Sequence, residues 1–196
     1  MERLRHHAKE LLSQAIRPCA GLLLRWRVTP NMVSVTGVLL NLVAAALVVA
    51  DQFVLAALTY LAAGGLDLLD GVLARLAKMT SRFGAFLDST ADRISEGIVF
   101  AAIAYRFAVD GQPIDAAVVV LALLGSLLVS YTRARAEGLG LECKVGVVTR
   151  AERVVLVALG LMFGLLPEAI YLLLALTAFT VAQRVVHTLR QLYPQG

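Results

Sequence analysis

The chain has 196 residues, of which 59% are hydrophobic and 16% charged, with 18 Lys and Arg against 14 Asp and Glu and a formal charge of +4. Together with a mean hydropathy of +0.79, this excludes an ordinary soluble domain and leaves no basic surplus that would call for a nucleic-acid partner. At roughly 20 to 25 residues per membrane-crossing helix there is room for about six helices and little else, so a single domain over 1–196 is expected. Cys19 and Cys143 are isolated from each other and from any histidine at ligand spacing, and they read as small apolar filler.

In chain order, the first 27 residues place Leu4, Ala8, Leu11, Leu12, Ala15, Cys19 and Leu22 at helical spacing, with Arg3, Arg5, Lys9, Glu10, Gln14 and Arg17 on the other side. That pattern predicts an amphipathic helix lying in the membrane interface. A cleaved leader fits less well, because Arg17 and Pro18 interrupt the apolar runs and RWR follows them. TPN at 29–31 is a helix start, with Thr29 as cap and Pro30 in the first turn. Spans are then expected over about 33–50, 53–77, 83–107, 116–136, 154–166 and 169–190, separated by DQ, KMTSR, DGQPID, the long polar EGLGLECKVGVVTRAER and Pro167. The expected fold is an all-α integral membrane protein, a six-helix transmembrane bundle over about 30–190 preceded by the interfacial helix. Six crossings put both termini on one side, where all Lys and Arg except Arg106 also fall, while Asp51, Asp110, Asp115 and Glu168 mark the other. By the positive-inside rule the basic side is cytoplasmic, and the protein is expected in the cell inner membrane.

Within this apolar frame, residues 67–92 read DLLDGVLARLAKMTSRFGAFLDSTAD. An aspartate at the centre of a spanning helix costs about 3 kcal/mol, and four cost on the order of 10 kcal/mol. Asp67 and Asp70 are three apart and Asp88 and Asp92 four apart, so each pair projects from one face of its helix and the two faces can meet. Four converging carboxylates repel unless divalent cations sit among them. Oxygen-only ligands favour Mg²⁺ or Mn²⁺ and fit a site shared with substrate phosphates.

The spacing Asp67-x2-Asp70-Gly71-x2-Ala74-Arg75-x8-Gly84-x3-Asp88-x3-Asp92 resembles the signature of the CDP-alcohol phosphotransferases, with every fixed position filled. The resemblance covers the chain from about Thr29 onward. It implies displacement of CMP from a CDP-linked lipid by an alcohol hydroxyl, with two Mg²⁺ or Mn²⁺ ions on Asp67, Asp70, Asp88 and Asp92, and with Asp92 also taking the proton. It further implies that Gly71, Ala74, Arg75 and Gly84, together with the entry segment Thr29, Pro30 and Asn31, bind the nucleotide, and that the protein is a homodimer among membrane lipids.

Arg133, Arg135, Arg150, Arg153 and Arg184 crowd the cytoplasmic ends of the last three spans, which suits an acceptor that already carries a phosphate. LDSTADRISEG and SYTRARAEG resemble the bacterial phosphatidylinositol-phosphate synthases. That likeness implies CDP-diacylglycerol as donor, inositol phosphate as acceptor, and an acceptor-phosphate site drawn from Ser130, Arg133, Arg135, Arg153 and Arg184. Glycerol phosphate is the alternative acceptor. A divalent-cation transporter is the alternative outside the enzymes, although its polar residues would have to continue to the far side.

Overall fold

The computed structural model describes residues 18–77, 79 and 81–193, all helix and connections. The interfacial helix expected over 1–27 lies largely outside these residues; of it, 18–25 is helical. Six longer helices follow, α1 (Pro30–Val49), α2 (Phe53–Leu76), α3 (Arg82–Val109), α4 (Pro113–Gly138), α5 (Arg150–Phe163) and α6 (Leu166–Leu192). Four of them, α1, α2, α4 and α6, are long and apolar enough to cross a membrane, which makes this a multi-pass membrane protein. The other two depart from that pattern for visible reasons. α3 is the longest at 28 residues, but Asp88, Asp92 and Arg93 lie in its first half and Glu96 at its middle. α5 has 14 residues, about 21 Å at 1.5 Å per residue, against a hydrocarbon core of about 30 Å.

The boundaries of α5 differ most from expectation. TRAER reads as loop by polarity, yet Thr149 and Glu152 form a reciprocal capping box, with Thr149 N donating to Glu152 Oε2 at 2.6 Å. This starts the helix at Arg150, one turn before the apolar run. The helix then ends at Gly164, whose φ of 69° places it in the left-handed region. Pro167 therefore sits in the first turn of α6 and does not terminate α5.

Three consecutive pairs and three non-consecutive pairs pack together: α1 lies on α2 and α3, α3 on α4, α2 on α5, α4 on α6, and α5 on α6. The buried faces are lined by small residues, among them Ala44, Ala45, Ala56, Ala57, Ala63, Ala122 and Ala158, while Leu39, Leu42, Val54, Leu121, Leu124 and Phe179 point outward. That inversion of the soluble pattern is expected where the surroundings are as apolar as the core and association depends on close backbone approach. Larger side chains, Phe100, Ile103, Ile170 and Leu173, fill the half of the bundle away from the aspartates. At that far end Arg106 bridges the two turns, 2.6 Å from both Asp51 and Asp110.

Gly125 on α4 marks the closest approach of α6. A Cβ there would collide with the Thr177 hydroxyl, which is fully buried and bonded to the Leu173 carbonyl at 2.8 Å. Gly125→Val is expected to lower stability by about 1–3 kcal/mol through overpacking. Gly125→Ala combined with Thr177→Ala should recover much of the loss of Gly125→Ala alone, as read by thermal unfolding in detergent.

Candidate metal and nucleotide site

The antiparallel order brings the N-termini of α1, α3 and α5 and the C-terminal turns of α2, α4 and α6 to one end of the bundle. α2 contributes Asp67 and Asp70, and α3 contributes Asp88 and Asp92. Carboxylate oxygens of Asp67, Asp70 and Asp88 lie within 4.8 Å of one another. Asp70 is buried, at 5% exposure, and accepts a bond from Ser34 Oγ of α1 at 2.7 Å. Asp67 and Asp88 are half-buried. Three acidic oxygens this close, with one hydroxyl and no lysine between them, are a hard-cation donor set. The residues present therefore fit Mg²⁺ or Mn²⁺.

Asp92 stands outside this group of three. Its Oδ1 lies 2.8 Å from Arg150 Nη1, and the same nitrogen lies 2.5 Å from Asp67 Oδ2. Arg93, next in sequence, donates to the Ser89 carbonyl of its own helix. Below the carboxylates is a water-sized cavity of about 10 Å³, lined in part by Asn41, Asp67, Asp92, Ser95 and Arg150. Asn41 Oδ1 is a buried acceptor without a protein partner there, which fits an ordered water in this position.

Beside the three clustered aspartates a second cavity of about 200 Å³ opens between α1, α2 and the start of α3. Pro30, Asn31, Gly71, Ala74, Arg75 and Gly84 line it, as do Asp70 and Asp88. Six of the seven residues expected at the nucleotide thus share one cavity with two of the aspartates. The seventh, Thr29, is behind the wall and caps α1 by accepting from Met32 N at 3.4 Å. Ser81 caps α3 by accepting from Gly84 N at 2.9 Å, and a Cβ on Gly84 would come within 3.1 Å of that same hydroxyl. A side chain there would press on the cap and take up cavity space, so the absence of one keeps the backbone open to a ligand.

The five residues expected at the acceptor phosphate fall into two groups. Arg133 and Arg135 are exposed, Arg133 held by Glu137 at 2.8 Å, and Ser130 is half-buried nearby on α4. Arg153 and Arg184 are buried. Arg153 clasps Glu96 with Nε and Nη2 at 2.8 and 3.0 Å. Arg184 donates to the Val145 carbonyl at 2.9 Å and to the Val129 carbonyl. None of the five lines either of the two cavities beside the aspartates. Ser34 and Asn41 are absent from the site read off the sequence, and Arg150 reads there only as one of the arginines suited to an acceptor phosphate, not as a partner of the aspartates. Ser34 and Asn41 sit in an apolar run with no motif to mark them, whereas Arg150 stands three residues before Arg153 as Asp92 stands four before Glu96, a matched spacing visible in the sequence.

Residues 27–187 match the family described as CDP-alcohol phosphatidyltransferase. An archaetidylinositol phosphate synthase of Methanothermobacter thermautotrophicus is 38% identical over 168 residues, covering 83% of this chain and 84% of that one. A phosphatidylinositol phosphate synthase of Streptomyces avermitilis is 36% identical over 204 residues, covering 96% and 83%. Among solved structures, the phosphatidylinositol phosphate synthase of Mycobacterium tuberculosis with CDP-diacylglycerol bound superimposes with a TM-score of 0.82 at 30% identity, covering 90% of this chain and 94% of that one. The same enzyme in complex with manganese and citrate gives 0.80 at 31% identity, covering 88% of each. With the acidic cluster, the adjoining cavity and these likenesses in agreement, the chain belongs to the CDP-alcohol phosphatidyltransferase family and is an enzyme.

Proposed function

We propose that this enzyme transfers the phosphatidyl group of CDP-diacylglycerol to a hydroxyl of inositol phosphate, releasing CMP and forming phosphatidylinositol phosphate. The observation that carries the reading is the clustering of Asp67, Asp70 and Asp88 at the mouth of a cavity lined by Gly71, Arg75 and Gly84. The named relatives add the acceptor, since the archaeal and the bacterial enzymes both make an inositol phosphate lipid by name.

On this reading Asp67, Asp70, Asp88 and Asp92 hold two Mg²⁺ or Mn²⁺ ions, which when bound neutralise the pyrophosphate and the charge developing on the attacking and leaving oxygens. Arg75 forks onto a phosphate of the donor, and Gly71, Ala74 and Gly84, with Thr29, Pro30 and Asn31 at the entry, leave room for the cytidine. The acceptor oxygen forms a bond to the β-phosphorus as its proton passes to Asp92. The bond from that phosphorus to the CMP oxygen breaks, and CMP leaves with the electron pair. Ser130, Arg133, Arg135, Arg153 and Arg184 attract the acceptor phosphate. All six helices cross the membrane, α3 carrying its carboxylates at cytoplasmic depth. Both termini and the site face the cytoplasm of the inner membrane, and the enzyme works as a homodimer.

CMP release by the purified enzyme from CDP-diacylglycerol is expected with inositol phosphate and not with glycerol 3-phosphate or unphosphorylated inositol; preference for glycerol 3-phosphate would replace the acceptor while leaving the reaction class. Activity should vanish in EDTA and return with Mg²⁺ or Mn²⁺, and Asp92→Asn should abolish turnover while CDP-diacylglycerol still binds. Arg133→Ala is expected to raise the KM for inositol phosphate about tenfold with little change in thermal stability, because its Glu137 pair is exposed. Arg153→Ala should instead cost about 3–5 kcal/mol by stranding Glu96, seen as a loss of thermal stability before any kinetic effect.

A further inference from the structure

Arg133, Arg153 and Arg184 come from three different helices, α4, α5 and α6. Arg184 nonetheless lies within electrostatic reach of the other two. Like charges gathered in partly buried surroundings repel, so each needs something to hold it in place. The holds differ. Arg133 pairs with Glu137 of its own helix, where both side chains are exposed. Arg184 is buried and donates to the backbone carbonyls of Val129 and Val145. Arg153 is the one of the three held by a buried carboxylate: Glu96 of α3 accepts from its Nε at 2.8 Å and its Nη2 at 3.0 Å, with the two side chains 2% and 4% exposed.

Building on the reading of Arg153 as a contact of the acceptor phosphate, we propose that Glu96 is a positioning residue for that contact. Its carboxylate fills the Nε–Nη2 edge of the guanidinium, which leaves Nη1 outside the clasp and fixes the direction it faces. The other end of the side chain is fixed as well. The capping box of Thr149 and Glu152 sets the start of α5 just before Arg153. Next to Arg153, Val154 packs so closely on α2 that a Cβ on Gly64 would come within 3.1 Å of its Cγ1. With its backbone set against α2 and its planar head clasped by α3, Arg153 has little freedom to turn. Simple attraction runs against such a role for Glu96. A carboxylate beside an acceptor phosphate repels it, so deleting the charge of Glu96 would by Coulomb's law alone tighten acceptor binding. Positioning predicts the opposite sign. An unclasped Arg153 loses its fixed direction and is drawn to other carboxylates such as Asp92, one turn back from Glu96 on the same face of α3.

The test uses the full-length enzyme in detergent with CDP-diacylglycerol, Mg²⁺ and inositol phosphate. Glu96→Gln keeps the size of the side chain and removes its charge. In that variant the KM for inositol phosphate is expected to rise about tenfold, while the KM for CDP-diacylglycerol moves by less than about threefold. Inositol phosphate should also lose most of the rise in Tm that it gives the unaltered enzyme, a readout that needs no turnover. A lower or unchanged acceptor KM in the folded variant, or an undiminished rise in Tm, overturns the proposal, because charge balance or packing alone gives those results. Glu96→Asp keeps the charge and shortens the arm by one methylene, so it should raise the acceptor KM about threefold. An unchanged value there overturns the proposal, and this variant decides the matter if Glu96→Gln does not fold. Arg153→Lys, which keeps the charge but lacks the planar fork, separates the proposal from the reading it rests on and should raise the acceptor KM about tenfold. If neither Arg153→Lys nor the Glu96 variants move that KM, Arg153 is not at the acceptor phosphate and the reading falls. If Arg153→Lys alone moves it, the acceptor contact stands and the role of Glu96 falls.

Discussion

Like-charge repulsion among carboxylates in a poorly solvated bundle is the constraint around which this structure is arranged. Asp67, Asp70 and Asp88 stand within 4.8 Å of one another, with Asp92 close by. Placing even one unpaired charge in such surroundings costs several kcal/mol. Three devices act against that cost. Ser34 donates to Asp70, Arg150 shares one nitrogen between Asp67 and Asp92, and the donor set of the remaining oxygens suits a divalent ion. Ser34 comes from α1 and Arg150 from α5, both of which pack on α2.

Charge is also sorted between the two ends of the bundle. At the far end Arg106 alone closes two turns through Asp51 and Asp110. Between the ends the core is uncharged, built from Val48, Phe100, Ile103, Ile170 and Leu173. A cation-transport pathway would require charged groups to continue through that layer, and the packed side chains described there supply none. The acidic site is therefore a pocket entered from one side, which suits a reaction between a lipid-borne phosphate and a water-soluble acceptor.

The legibility of this molecule from its sequence varied with the range of the interaction concerned. Apolar runs and their breaks located six helices to within a few residues, because a span has to be apolar along its length. The aspartate pairs and the cavity residues Gly71, Arg75 and Gly84 were legible because they lie in one motif on two adjacent helices. The start of α5 was not, since TRAER looks like loop until Thr149 and Glu152 are seen to cap each other. The surroundings of Arg153 and Arg184 were hidden for a related reason. A cluster of arginines at helix ends looks equally available to an anion, and only the three-dimensional packing reveals that Glu96 and the Val145 and Val129 carbonyls already engage two of them.

That distinction bears on how the two halves of the enzyme communicate. The cavity beside the aspartates is built from α1 to α3, and the arginines proposed to attract the acceptor phosphate are on α4 to α6. α5 joins the halves at the site, because Arg150 reaches the aspartates and Arg153 reaches Glu96 from a single helical turn. Glu96 takes Nε and Nη2 of Arg153, which leaves the third guanidinium nitrogen outside the clasp. An anion engaging that nitrogen would pull on the same turn that carries Arg150, and through it on Asp92. If Asp92 accepts the proton as proposed, acceptor binding and the orientation of that carboxylate would be mechanically one event, since a buried bidentate pair has no freedom to absorb the displacement elsewhere.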